Sequence, residues 1–311
     1  MDMSIERMTL ALPDGLSVEV ERHVFHPDGD SVMIVNGLLQ TRASVRATIH
    51  CLRTRYNVIC FDPPCARGSR TDGGRSPVAL LSRYDEAQIL LQLIERFTPD
   101  FLYSASWGGF AALLALARGA PPLRRAMIAA FSPFVNDALT DFLVRVREAI
   151  LTERDLQAAH LLNSTLGAYL PRPIQRANRL YLSALSRHER LQLASYLGQV
   201  LAQSPCAFVS HLDQIHCPVR FVNGELDAYT TVEDGRAVSR FIARAQSATV
   251  PGAGHFLDLE GAAPAAALRD LMFDFFGDAR AVSEGGGAEH AGRRTEYGRD
   301  DGSELIERTG R

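Results

Sequence analysis

The chain has no lysine: all 33 of its basic residues are arginine. Its net charge is −3, so it lacks the basic excess that a nucleic-acid partner requires. No apolar run is long enough to span a bilayer. The first residues, Met1-Asp2-Met3-Ser4-Ile5-Glu6-Arg7, are polar and mixed in charge, so no signal peptide is expected and the cytoplasm is the expected location. Cysteine is scarce. Cys51, Cys60, Cys65, Cys206 and Cys217 are odd in number and match no C-x-x-C spacing, so metal and redox sites of that pattern are excluded. Free thiols are expected, with Cys60 a small core residue. Internal repeats are absent, and no motif asks for a cofactor or metal.

What is present reads as a globular enzyme. The 311 residues are 46% apolar and 22% charged, which is ordinary for a packed domain. Short apolar strands alternate with helical segments. Thr9 to Leu12 and Ser17 to Phe25 suggest a hairpin around Pro13-Asp14-Gly15. Further strands are expected at 31–35, 56–61, 100–103, 125–131, 218–223 and 248–250, with helices over 41–52, 84–97 and 232–242. This alternation predicts an α/β fold: a mostly parallel sheet with helices on both faces. From about 136 to 210 the pattern is helical throughout and rich in Leu, Phe and Tyr. Residues 134–210 are therefore expected to form an inserted helical cap, between a first core segment at 1–133 and a second at 211–280. Residues 281–311 are rich in Gly, Glu and Arg, and a disordered tail is expected there.

The chemistry is carried by Tyr103-Ser104-Ala105-Ser106-Trp107-Gly108-Gly109, between the apolar strand and a small-residue helix. This is the form of a nucleophile elbow, reading S-x-S-x-G where G-x-S-x-G is usual. A nucleophilic Ser106 needs a base and an acid that orients it, in the order Ser, Asp or Glu, His. Asp227 follows the strand at 218–223, with Asp234 and Glu225 as alternative acids. His255 stands in Pro251-Gly252-Ala253-Gly254-His255-Phe256, after the last strand. Two backbone N–H groups should form the oxyanion hole, those of Trp107 and of Leu38 in Asn36-Gly37-Leu38. In their order along the sequence, these pieces predict an α/β-hydrolase fold.

Several further runs carry a closer resemblance. They are His160-Leu161-Leu162-Asn163, Tyr169-Leu170-Pro171, Phe221-Val222-Asn223-Gly224, Tyr229-Thr230-Thr231-x-Glu233-Asp234 and Gly254-His255-Phe256-Leu257-Asp258-Leu259-Glu260. With Val35-Asn36-Gly37 and the serine-first elbow, they resemble the 3-(3-hydroxyalkanoyloxy)alkanoate synthase family of rhamnolipid biosynthesis. The resemblance covers about residues 15 to 275. It implies an acyltransferase that joins two 3-hydroxyacyl units, supplied as thioesters of acyl carrier protein or coenzyme A. The lipid dimer then passes to a separate rhamnosyltransferase. By matching motifs it implies Ser106 as nucleophile, His255 as base and Asp227 as orienting acid. An esterase or thioesterase with water as acceptor is the alternative, and a non-catalytic binding protein of the same fold is a further one. Arginine grips carboxylate and phosphate in bidentate fashion. Arg67, Arg70 and Arg75, close together in one expected loop, are therefore candidates for docking the acidic carrier.

Overall fold

A computed structural model describes residues 4–12, 16–38, 40–64, 80–121 and 123–277. Among these residues, eight strands form one sheet: β1 (Ser4–Ala11), β2 (Ser17–Val24), β3 (Ser31–Val35), β4 (Asn57–Asp62), β5 (Phe101–Ala105), β6 (Arg125–Ala129), β7 (Val219–Gly224) and β8 (Ala245–Val250). Their order is β1-β2-β4-β3-β5-β6-β7-β8. From β4 to β8 every pairing is parallel; β1 and β2 are the antiparallel edge. The middle strands are short continuous apolar runs because helices cover both of their faces.

The helices are α1 (Arg46–Leu52), α2 (Arg83–Phe97), α3 (Gly108–Ala117), α4 (Asp137–Leu151), α5 (Asp155–Ser164), α6 (Arg172–Leu182), α7 (Arg187–Leu201), α8 (Pro205–Val209), α9 (Val232–Ser239) and α10 (Ala262–Phe276). Capping boxes start three of them: Ser82 with Asp85 at α2, Ser186 with Glu189 at α7, and Thr231 with Asp234 at α9. α3 is apolar all round and buried all round, which fits a helix at the centre of the fold.

The expected elements are in place, with shifts that have local causes. β1 begins at Ser4 rather than Thr9, and β8 at Ala245 rather than Ala248. Both are edge strands, whose exposed positions accept charged and polar residues and so break the apolar run. α1 begins at Arg46 rather than Thr41, because Arg42 N–H is bonded to Asp62 and the backbone turns there first. The hairpin tip at 13–15, the tail expected at 281–311, Cys65, and Arg67, Arg70 and Arg75 lie outside the described residues. The other four cysteines are free thiols, and burial pushes the Cys60 thiol up to about 12. Among the described residues, no helix is long and apolar enough to cross a membrane.

Topology already points to one place. β4 lies on one side of β3 and β5 on the other. The loops leaving the carboxyl ends of β3 and β5 therefore diverge and open a crevice, where ligands of open α/β sheets bind. Those loops hold Asn36-Gly37-Leu38 and Ser106-Trp107. Helices α4 to α8 lie in sequence between β6 and β7, and α7 reaches the crevice: the Tyr196 ring packs on Trp107 at 4.5 Å between centroids.

Candidate active site

Ser106 sits at the tip of a turn between β5 and α3 with φ of +49°. A non-glycine residue there carries strain of roughly 1–3 kcal/mol. The surroundings enforce it: Ser106 N–H donates to Ala129 O at 2.8 Å, on the neighbouring strand β6. The helix must then start almost in contact with β3. A Cβ on Gly108 would stand 2.6 Å from Asn36 O and 2.8 Å from Val35 O, both backbone. One on Gly109 would stand 2.5 Å from the Phe131 ring. These two glycines are the reason the turn can close. Ser104, where glycine is usual, is fully buried, and its hydroxyl has no partner among the described residues.

The structure brings Ser106, His255 and Asp227 into one line. Ser106 Oγ lies 2.9 Å from His255 Nε2, and His255 Nδ1 lies 2.8 Å from Asp227 Oδ2. An ionised carboxylate only accepts, so Nδ1 carries the proton and Nε2 is left to accept from the serine hydroxyl. Asp227 is fully occupied: Tyr229 N–H (2.9 Å) and Thr230 N–H (3.1 Å) donate to Oδ1, and the Thr230 hydroxyl (2.6 Å) donates to Oδ2. Burial alone pushes the Asp227 carboxyl up, but the His255 ring and these donors outweigh it and hold it below the usual carboxylate range.

The alternative acids have other work. Asp234 accepts Thr231 N–H at 3.0 Å as a helix cap, and Glu225 accepts Gly252 N–H at 2.7 Å on the surface. Two supports were not singled out from the sequence. Glu260 grips the histidine loop by accepting Gly254 N–H (2.5 Å) and Phe256 N–H (2.9 Å). Asn223 ties the segment after β6 to the acid turn by donating to Phe131 O (3.1 Å) and Thr230 O (2.9 Å). Both stand inside quoted motifs, yet only the fold shows which backbone groups they reach.

Trp107 follows the serine and Leu38 stands on the loop after β3, and among the described residues no acceptor takes the backbone N–H of either. The loop bearing Leu38 is stapled, since Gly37 N–H donates to Gln40 Oε1 at 2.8 Å. Beside these loops opens a pocket. It reaches the elbow through Trp107 and Gly108 and runs between Leu38 and Phe61 on the sheet side and Leu193 and Tyr196 of α7. The wall is overwhelmingly apolar. On the far side of the triad, Tyr169 from the α5–α6 turn lies so close to Gly254 that a Cβ there would meet its ring at 2.5 Å.

One polar group in the chamber was not foreseen. Glu86 of α2 accepts from the Trp107 indole N–H (2.5 Å) and from the Tyr196 hydroxyl (2.6 Å). Burial pushes its carboxyl up to about 7, against the pull of these two donors. In the sequence it reads as a first-turn acid on a helix, with no signal that it points inward.

An imidazole held by a carboxylate beside a strained serine can take the hydroxyl proton, making Oγ a nucleophile for an acyl carbonyl. The comparisons agree with that chemistry. Residues 34–271 match the model of the Alpha/beta hydrolase family. A protein of Pseudomonas putida named (R)-3-hydroxydecanoyl-ACP:CoA transacylase is 36% identical over 246 residues, spanning 79% of this chain and 83% of that one. One of the same name from Pseudomonas aeruginosa is 37% identical, over 79% of this chain and 81% of its own. Among solved structures, an enol-lactonase of Burkholderia xenovorans superposes with a TM-score of 0.70 at 17% identity, over 86% of this chain and 99% of that one. At that identity it speaks for the fold alone. On its sheet order, its elbow and the match over residues 34–271, the chain belongs to the Alpha/beta hydrolase family.

Proposed function

We propose that the protein is an acyltransferase for 3-hydroxyacyl thioesters, acting through an ester on Ser106. Ser106 Oγ attacks the thioester carbonyl while His255 Nε2 takes its proton. The Leu38 and Trp107 N–H groups receive the oxyanion. The C–S bond breaks, and the carrier thiol leaves with the proton from His255. A second nucleophile then gives its proton to His255 and attacks the acyl-serine, and Ser106 recovers its hydrogen. Asp227 keeps the imidazole in the required tautomer throughout.

With the 3-hydroxyl of another 3-hydroxyacyl unit as nucleophile, the product is the ester-linked dimer. This becomes 3-(3-hydroxyalkanoyloxy)alkanoate once water hydrolyses the remaining thioester and releases the carrier thiol, giving the lipid that a rhamnosyltransferase glycosylates in rhamnolipid synthesis. With the coenzyme A thiol as nucleophile, the acyl group changes carrier, the transfer for which the relatives are named. Helices α4 to α8 serve as the cap that keeps water from the ester, and the reaction takes place in the cytoplasm, where the carriers are. The observation that carries this reading is the Ser106–His255–Asp227 line beside an apolar chamber walled by α7.

Purified protein given (R)-3-hydroxydecanoyl acyl carrier protein, with and without coenzyme A, tests it by mass spectrometry of the products. Ester-linked dimer or 3-hydroxydecanoyl coenzyme A is the expected result. Free 3-hydroxydecanoate as sole product would make the protein a thioesterase. Charge reversal at Arg67, Arg70 and Arg75 should raise KM for the carrier-bound substrate, and an unchanged KM would argue against carrier docking there.

A further inference from the structure

Glu86 is out of place for a structural acid. It lines a mostly apolar pocket, as Glu189 of α7 does, and burial is the largest influence on its carboxyl. Yet its side chain keeps accessible surface, because it faces the hollow. Each of its oxygens takes one hydrogen bond, from Trp107 and from Tyr196. A carboxylate has about four acceptor positions, so capacity remains. Trp107 fixes where that capacity lies: its backbone follows Ser106 and its indole N–H ends on Glu86. Trp107 thus links the carboxyl to the elbow, as the residue that follows the nucleophile.

We infer that Glu86 is a specificity-determining residue, accepting a hydrogen bond from the hydroxyl of the bound acyl group and so selecting hydroxylated over plain acyl groups. This rests on the acyltransferase reading above. A plain acyl group would fill the same chamber but leave the carboxylate under-solvated, the situation in which sites built around a hydroxyl reject analogues that lack it. Trp107 and Tyr196 hold the carboxyl from two sides, the elbow and α7, so its position is set before substrate arrives.

Asp85 on its own helix, Trp107 at the elbow and Tyr196 on α7 act on Glu86, and Glu189 on α7 and Tyr181 on α6 line the same pocket. Burial is the largest influence on Glu86 and raises it to about 7, so it gains its full accepting power as pH rises through neutrality. Preference for a hydroxylated substrate should therefore increase from pH 6 to pH 8. When two substrates compete in one tube, the ionisation of His255 affects both alike and cancels from the ratio.

The test is such a competition between 3-hydroxydecanoyl and decanoyl coenzyme A, read as acylation of Ser106 by intact-protein mass spectrometry. Wild type should favour the hydroxylated substrate, more so at pH 8. Glu86→Leu should lower the preference by about tenfold or more, the worth of one hydrogen bond to a charged group. Glu86→Gln keeps acceptors for Trp107 and the substrate, so it should retain part of the preference and show no pH dependence in the ratio. A ratio unchanged in Glu86→Leu, with both rates reduced together, would overturn the inference and leave Glu86 a packing residue. A pH-dependent ratio that persists in Glu86→Gln would overturn it as well. A wild-type protein that acylates from neither thioester would overturn the acyltransferase reading itself, and the selection with it.

Discussion

The two walls of the site are held by different means. On the sheet side, position is a property of the backbone: a left-handed Ser106, a bond from its N–H to Ala129 O, and Gly108 against the carbonyls of Val35 and Asn36. On the helical side, position is a property of side chains. Gln192 accepts Leu81 N–H (2.8 Å) and donates to Leu81 O (2.9 Å). Gln199 donates to Leu81 O and accepts Arg83 N–H, and Tyr196 reaches Glu86. Backbone constraints tolerate few residues and leave short motifs. Side-chain networks join positions more than a hundred residues apart and leave almost none.

Four substitutions would break or sharpen that contrast. The largest effect is expected from Ser106→Ala, which should remove about five orders of magnitude of kcat while leaving the fold intact. Steady-state kinetics beside thermal unfolding checks both halves. Next comes Gly108→Ala. Its methyl would press on two backbone carbonyls that cannot rotate away, so a loss of about 1–3 kcal/mol, or more, is expected in urea unfolding.

Gln192→Ala acts on the other wall. It leaves the buried Leu81 N–H without its partner, at a cost of about 1–3 kcal/mol, and it loosens α7. The expected signature is a larger share of free acid among the products, with Ser106 still acylated. If hydrolysis stays flat while stability falls, the helices are packing alone.

The smallest effect concerns pH. The Glu86 carboxyl lies above its ordinary 4.5, at about 7, so the folded state holds a proton that the unfolded state has released between those values. Stability linked to Glu86 is therefore fully present below about pH 4.5, declines as pH rises, and is lost above 7. Urea unfolding at pH 5 and pH 8 should show a smaller difference in Glu86→Gln than in wild type, and an equal difference would contradict the assignment.

The same contrast explains what was legible in the sequence. Asn36-Gly37, the elbow, the acid turn and Gly254-His255 all mark places where the backbone must turn tightly or approach a neighbour, and such places leave short motifs. Asp227 could be preferred to Asp234 by position after a strand, and the Thr231 cap shows what Asp234 does instead. Glu86 and Glu260 were not legible as site residues. A first-turn glutamate and a loop glutamate look solvent-exposed locally, and only the arrival of Trp107, Tyr196 and the histidine loop gives them partners. The polar edge strand β8 hid its first residues for the related reason that exposure, not sequence rule, decides what an edge accepts.

The central claim is that an acyl group waits on Ser106, shielded from water, for an acceptor other than water. A single-turnover experiment tests it most directly. Protein acylated with 3-hydroxydecanoyl thioester is freed of excess substrate and followed by intact-protein mass spectrometry, with and without fresh acceptor. The account predicts an adduct on Ser106 that persists in buffer and discharges rapidly when coenzyme A or a 3-hydroxyacyl thioester is added. An adduct that decays to free acid at the same rate in both tubes would contradict it.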